Sequence, residues 1–347
     1  MAADHEVRIV ICEDSPTYSA ALTSFLEHDR DLKVVAVCAD YEELKRRLPT
    51  ARADLVTMDI GLPGLDGLHG TKWIMDRLPL PIVVLSAHAG PGSAPVSAVL
   101  AAGALDAIDK STLCLDERSA PPAVALRRRI KHLARTRVAP PARSSCPPRP
   151  TAPRPRARRA TTVGIAASTG GPAALASVLG KLPAQFPLPV LIVQHISAGF
   201  TEGLAVWLDS IVALPVRLAV HGQRAARGVW IAPDGMHLRL LPGGVLSLGA
   251  GSANAPYCPS ADVLLTSLAE TARAGSVSVV LTGMGRDGAE GAAAVGAAGG
   301  LTIAQDEASS IVYGMPRAAA ERGAALILPP TAIGEALGAL RMEPQTR

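Results

Sequence analysis

Residues 162–172 read TVGIAASTGGP, and residues 7–16 read VRIVICEDSP. Each is a short, largely apolar run that breaks into a polar turn and then meets a proline. An apolar run of that length fits a strand buried on both faces, and proline is favoured at the first position of a helix. The same strand–turn–helix unit occurs twice, so the chain is expected to hold two α/β domains with parallel sheets.

Outward from residues 7–16, strands are expected at 7–12, 33–38, 55–58, 81–85 and 107–108, with helices at 16–28, 41–48 and 73–78 between them. Outward from residues 162–172, strands are expected at 162–166, 189–194, 276–281 and 301–304. The intervening helices are expected at 172–179, 202–209, 262–272 and 289–298. Residues 229–240 and 245–248 read as antiparallel hairpins around Pro233-Asp234-Gly235 and Pro242-Gly243-Gly244. A helix-like stretch, 121–138, closes the first half. Residues 143–160, RSSCPPRPTAPRPRARRA, have no apolar period and read as a stiff, solvated linker. The expected domains are therefore 1–138 and 161–347, joined by a Pro/Arg-rich linker at 139–160.

The chain has 347 residues, 48% hydrophobic and 18% charged, which excludes disorder throughout. Aromatic residues make up only 3%, which speaks against a base- or sugar-stacking platform. The net charge of +4 is uneven: residues 127–159 carry twelve basic side chains and no acid. The remainder holds 22 basic and 30 acidic side chains, a net of −8. The two uncharged stretches longer than 20 residues are broken by Gly, Pro, Ser and Thr, so no membrane helix is expected. The first dozen residues lack a signal-peptide core, and a cytoplasmic protein is expected. Five scattered cysteines without a C-x-x-C pair argue against a disulfide framework or a zinc site.

Strand ends are where ligands bind in such sheets. In the first half they bring together Glu13, Asp14, Asp59, Ser86 and Lys110. Clustered carboxylates need a cation, and oxygen ligands suit Mg²⁺. An aspartate beside Mg²⁺ can attack a phosphoryl group, with Lys110 and Ser86 holding its oxygens. In the second half Ser168 sits on the sharp turn into a helix, His195 ends the strand at 189–194, and Asp287 follows the strand at 276–281. A serine, a base and an orienting carboxylate make a hydrolytic triad. His221 and His237 are weaker candidates for the base. Residues 283–288 also spell G-x-G-x-x-G, with Asp306 eighteen residues beyond Gly288, the outline of a dinucleotide fingerprint. About forty residues follow, too few to complete a dinucleotide-binding half in that direction.

Residues 6–136 resemble a response-regulator receiver domain. The resemblance implies a flavodoxin-like fold, Asp59 as phosphoacceptor, Glu13, Asp14 and Asp59 as Mg²⁺ ligands, and the Gly61 carbonyl as a further ligand. Two residues depart from the family pattern: Ala107 stands where an aromatic switch residue is usual, and Ser111 where proline is common. From residue 162 onward the chain is similar to the catalytic domain of the CheB family of chemotaxis methylesterases. The similarity rests on Ser168-Thr169-Gly170-Gly171-Pro172, Gln194-His195, Gly199-Phe200-Thr201, residues 232–238, Pro259-Ser260-Ala261-Asp262, residues 282–288, residues 302–307 and Tyr313-Gly314-Met315-Pro316. Cys258 departs from the basic residue usual before Pro-Ser.

That family implies a Rossmann-like esterase domain with a hairpin insert. It implies hydrolysis of glutamate γ-methyl esters on chemoreceptors with release of methanol, and deamidation of receptor glutamines by the same chemistry. Ser168, His195 and Asp287 would form the triad and the Met284 backbone N–H the oxyanion hole, with no cofactor for hydrolysis. A chemotaxis histidine kinase would phosphorylate Asp59 and relieve inhibition by the receiver. A receiver-linked binding module, a dinucleotide-dependent enzyme and a DNA-binding regulator using the Arg-rich linker are the alternatives. Each predicts a different result: no serine-probe labelling, stabilisation by NAD or NADP, or a helix-turn-helix, which the sequence lacks.

Overall fold

The computed structural model describes residues 6–62, 67–87, 94–113, 115–136, 138, 159–251 and 257–342. The chain divides into two compact units, Met1–Pro141 and Ala142–Arg347. Residues 139–158 of the expected linker lie outside the described residues, while its last two form a short strand (below).

The first unit alternates β1 (Val7–Cys12), α1 (Pro16–Leu26), β2 (Leu32–Cys38), α2 (Tyr41–Ala51), β3 (Leu55–Asp59), α3 (Gly67–Arg77), β4 (Ile82–Ser86), α4 (Ala94–Ala101), β5 (Asp106–Asp109) and α5 (Pro121–Ala134). The five strands form one parallel sheet in the order β2-β1-β3-β4-β5. Local chemistry sets the helix starts. Ser15 caps α1 through the Tyr18 N–H, with Pro16 at the first turn. Asp40 caps α2 through the Glu43 N–H at 2.7 Å, and Glu43 reaches back to the Ala39 N–H at 3.0 Å. The helix α4 was not expected; its uniformly small, apolar sequence has no amphipathic period to announce it.

The second unit runs β6 (Arg159–Ala160), β7 (Thr162–Ala167), α6 (Gly171–Leu179), β8 (Pro189–Gln194), α7 (Thr201–Ile211), β9 (Val216–Leu218), β10 (Gly228–Ile231), β11 (Met236–Leu241), β12 (Val245–Ala250), α8 (Ala261–Ala272), β13 (Ser276–Val280), α9 (Ala289–Ala297), β14 (Leu301–Gln305), α10 (Met315–Glu321), β15 (Leu326–Leu328), α11 (Pro330–Gly338) and β16 (Arg341–Met342). Seven strands form a parallel sheet ordered β15-β14-β13-β7-β8-β10-β9. Two apolar clusters cover its faces. One holds Val163, Ile165, Val190 and Ile192, and the other holds Leu191, Val193, Leu264, Leu265 and Leu268. Side chains of one strand thus alternate between two cores, which is why these strands read as continuous apolar runs.

Two expectations change here. Residues 229–240 are not a hairpin: β10 joins the main sheet parallel to β8, and the turn at Pro233–Gly235 leads out of it. Only β11 and β12 pair antiparallel, around Gly243 and Gly244. Pro233-Asp234-Gly235 does form a turn, but Val229 to Ile231 are buried on both faces, as a central parallel strand requires. Arg159–Ala160, expected as linker, pair in parallel with Arg341–Met342. Among the described residues no helix is long and apolar enough to cross a membrane.

Candidate active site

Both sheets reverse strand order beside their first strand, and both clusters of chemistry-bearing residues lie at that crevice. In the first unit, Glu13 and Asp14 follow β1, Asp59 ends β3, Ser86 ends β4 and Lys110 follows β5. Carboxylate oxygens of Glu13, Asp14 and Asp59 all lie within 4.8 Å of one another. The Lys110 ammonium donates to Glu13 Oε2 at 2.6 Å and to Asp59 Oδ2 at 2.8 Å. Burial alone would lower the lysine pKa, but the two carboxylates outweigh it and hold it above the ordinary value. The Gly61 N–H donates to Asp59 Oδ1 at 3.1 Å, which fixes the other oxygen of that carboxylate. Glu13 and Asp59 are buried and Asp14 is exposed, so the cluster opens to solvent on one side. An all-oxygen set of this kind suits a hard divalent cation, and one lysine offsets only part of three negative charges.

One of the two departures from the receiver pattern has a local explanation. The Ser111 N–H donates to Asp109 Oδ1 at 2.8 Å and caps the short 3₁₀ turn Lys110–Thr112; a proline there would lose that bond. Ala107 is fully buried inside β5.

In the second unit, three adjacent strands deliver three side chains. The central strand β7 leads into Ser168, its neighbour β8 into His195, and its other neighbour β13 into the loop bearing Asp287. The sheet ladder continues past the strand ends. The His195 N–H bonds the Ala167 carbonyl at 2.8 Å, and the Ser168 N–H bonds the Thr282 carbonyl at 3.0 Å. Both turns are thus anchored by backbone. His195 Nε2 lies 2.9 Å from Asp287 Oδ2.

Asp287 is held by more than the histidine. Its Oδ1 accepts from Ser260 Oγ at 2.9 Å and from the Asp262 N–H at 3.0 Å, and its Oδ2 accepts from the Ala261 N–H at 2.7 Å. The carboxylate thus sits on the N-terminus of α8, where free N–H groups and the helix dipole favour an anion. Burial pushes its pKa up, but the bonds from His195, Asp262 and Ala261 overcome this and hold it at about 2. Asp287 is therefore ionised at neutral pH and only accepts, so Nε2 must carry the proton of neutral His195. The other nitrogen, Nδ1, is buried with no hydrogen-bond partner among the described residues.

Ser168 is half-buried, and its Oγ makes no hydrogen bond to His195. Its backbone is fixed on every side. Gln194 Nε2 bridges the Ser168 and His195 carbonyls at 2.8 Å each. Thr282 Oγ1 donates to the Thr169 carbonyl at 3.0 Å and accepts from the Val312 N–H at 3.0 Å. Gly283 leaves no room for a side chain, because a Cβ there would come within 2.6 Å of Ser168 Cβ. The next residue, Met284, is half-buried and its N–H has no protein acceptor among the described residues.

Of the weaker base candidates, His221 Nδ1 lies 3.2 Å from the Leu248 carbonyl, and His237 Nδ1 accepts from the Ser260 N–H at 3.1 Å. Neither reaches the Ser168 turn; His237 instead buttresses Ser260, which in turn holds Asp287. The supporting set of Gln194, Thr282 and Ser260 was not singled out for these roles. Ser260 was detectable as a helix-capping serine just before an apolar helical period, but its second bond to Asp287 spans 27 positions and leaves no local trace.

A receiver-type sheet followed by a parallel sheet with a serine-, histidine- and aspartate-bearing edge defines a response regulator with an enzymatic output unit. Residues 9–114 match the model of the response regulator receiver domain, and residues 163–337 match that of the CheB methylesterase. The chain belongs to the CheB methylesterase family. It is 42% identical over 92% of its length, and 94% of the relative's, to protein-glutamate methylesterase/protein-glutamine glutaminase 2 of Cupriavidus metallidurans. It is also 42% identical over 92% of its length, and 89% of the relative's, to protein-glutamate methylesterase/protein-glutamine glutaminase 3 of Myxococcus xanthus. Among solved structures, the Thermotoga maritima CheB methylesterase catalytic domain superposes with a TM-score of 0.50 at 39% identity, covering 51% of this chain and 97% of that one.

Proposed function

We propose that this chain is a receiver-regulated protein-glutamate methylesterase and protein-glutamine glutaminase that acts on chemoreceptors through Ser168, His195 and Asp287. The observation that carries the reading is the charge-fixed His195–Asp287 pair beside the Ser168 turn, with one imidazole nitrogen buried and unpaired among the described residues. Because Asp287 fixes the proton on Nε2, Nδ1 holds the lone pair that takes the Ser168 proton. Ser168 Oγ then bonds to the γ-carbonyl carbon of the methyl ester. The Met284 N–H stabilises the oxyanion, and such a donor is worth about 10²–10³ in turnover. Collapse breaks the bond to methoxide, which leaves as methanol with the proton from Nδ1. Water, deprotonated by the same nitrogen, cleaves the acyl-enzyme to free glutamate. A glutamine side chain follows the same route with ammonia as the leaving group.

In the first unit, Asp59 is the phosphoacceptor. The carboxylates of Glu13, Asp14 and Asp59, with the Gly61 carbonyl, would hold Mg²⁺, which supplies charge neutralisation for phosphoryl transfer when bound. Asp59 Oδ attacks phosphorus, the bond from phosphorus to the imidazole nitrogen of the kinase's phosphohistidine breaks, and an acyl phosphate forms as the imidazole leaves. Lys110, already on Asp59, and Ser86 on the neighbouring strand end hold the phosphoryl oxygens. The phosphodonor is a chemotaxis histidine kinase, and phosphorylation shifts the population towards an active hydrolase. The absence of any cofactor requirement for hydrolysis and a cytoplasmic location belong to the same reading.

Rapid quenching during turnover of methylated receptor peptide, followed by mass spectrometry, tests the chemistry. A receptor acyl group on Ser168, absent in Ser168→Ala, is expected. Full turnover by Ser168→Ala would overturn the reading.

A further inference from the structure

The Tyr257 ring lies parallel to the His195 imidazole, with centroids 4.8 Å apart and planes 7° from parallel. That is the offset-stacked arrangement aromatic pairs prefer. Tyr257 is 36% exposed, so its outer face is open while its inner face covers the histidine. On the far side the phenol reaches the Met284 loop: a Cβ on Gly285 would lie 2.7 Å from the Tyr257 hydroxyl. Gly285 also has φ +88°, a conformation open to glycine, so the loop passes under the phenol only without a side chain. Two residues further along the chain, Pro259 leads into Ser260, which bonds Asp287. The tyrosine is therefore set between the base, the loop that offers the oxyanion donor, and the segment that holds the orienting carboxylate.

One hydrogen bond, His195 Nε2 to Asp287, leaves an imidazole free to swing about that bond. A flat ring stacked on its face removes that freedom. We infer that Tyr257 is a positioning residue, the shelf that keeps the His195 ring in the plane in which Nδ1 meets Ser168. The inference rests on the proposed roles of Ser168, His195 and Asp287. The aromatic ring, and not the hydroxyl, carries the effect, because the contact with His195 is ring to ring.

The test uses the full chain as Tyr257→Ala, Tyr257→Leu and Tyr257→Phe. It measures kcat and KM for methyl-ester hydrolysis and the rate at which a fluorophosphonate labels the active serine. Tyr257→Ala and Tyr257→Leu are expected to lower kcat and the labelling rate together by about three- to tenfold, with KM within about twofold. Tyr257→Phe is expected to restore both to near wild type. Tyr257→Leu keeps apolar bulk, so it retains a readout if the alanine variant folds poorly. The inference is overturned if both truncations keep the wild-type labelling rate, if only KM rises, or if Tyr257→Phe is as slow as Tyr257→Ala. Ser168→Ala serves as the control. If it is still labelled and active, the underlying site reading fails, which is a different result from a tyrosine that does not matter.

Discussion

His195 turns Nε2, not Nδ1, towards Asp287, at 2.9 Å from Oδ2. In the chymotrypsin arrangement the aspartate takes Nδ1 and the serine faces Nε2. Here the ring is reversed, and Nδ1 is the nitrogen left inside the site without a partner among the described residues. The cause is the direction of approach: Asp287 is fixed on the N-terminus of α8 by Ala261 and Asp262, and His195 by the ladder bond to Ala167.

Replacing Asp287 with asparagine removes the anion that fixes the proton on Nε2. Turnover is expected to fall by about 10³–10⁴, as for loss of the orienting carboxylate in other triads. KM is expected to change little, because Asp287 is buried behind His195. Steady-state kinetics on methylated receptors check both parts. A tenfold effect or less would mean that Asp287 does not set the tautomer.

The same residue links the site to stability. Asp287 titrates at about 2 in the folded protein against 3.8 for a free carboxyl. A depressed folded pKa gives stability that is present above about pH 4 and lost as pH falls towards about 2. The gap in urea midpoint between wild type and Asp287→Asn should therefore be wide at neutral pH and narrow by about pH 3. A gap that does not change with pH would contradict this. Asp287→Ala, which strands the Ala261 and Asp262 N–H groups, is expected to cost about 1–3 kcal/mol at neutral pH.

Gly283→Ala tests the close approach beneath the nucleophile. The new methyl would meet Ser168 Cβ and the Met315 sulfur, and the Ser168 turn must shift. A displacement of about 1 Å at a reacting atom is expected to lower kcat by about 10². Circular dichroism should show the fold retained, since Met315 is flexible and can repack. Wild-type kcat in this variant would show that the turn has slack.

The sequence made most of this site readable, and the reason is topological. In a parallel sheet each strand end is a place where a side chain can enter the crevice, so reading strand ends is reading the site. Ser168, His195 and Asp287 follow three strands that are adjacent in space. In the first unit Glu13 and Asp59 follow the adjacent β1 and β3, and Lys110 follows β5 across the intervening β4. What escaped were contacts with no period or motif. The bond from Ser260 to Asp287 and the Tyr257–His195 stack join distant segments. The strand β10 was misread because Pro233-Asp234-Gly235 is a good turn that happens not to close a hairpin. The short strands β9 and β15 have three residues each, too few for any pattern to declare them.

Chelating divalent metal separates the two units' chemistry. Glu13, Asp14 and Asp59 offer the oxygen set, whereas the Ser168 edge has no metal-binding cluster among the described residues. EDTA is expected to abolish stimulation by acetyl phosphate and to leave basal ester hydrolysis unchanged. Glu13→Gln should weaken Mg²⁺ binding by about tenfold or more in titration calorimetry. Basal hydrolysis that itself needs added metal would contradict the assignment.

The most direct measurement of the central claim is methanol release from methylated chemoreceptor membranes, by wild type, Ser168→Ala and Asp59→Asn, with and without acetyl phosphate and Mg²⁺. The account predicts release by wild type that rises with phosphodonor, basal release without any rise for Asp59→Asn, and none for Ser168→Ala. Undiminished release by Ser168→Ala, or stimulation that persists in Asp59→Asn, would contradict it.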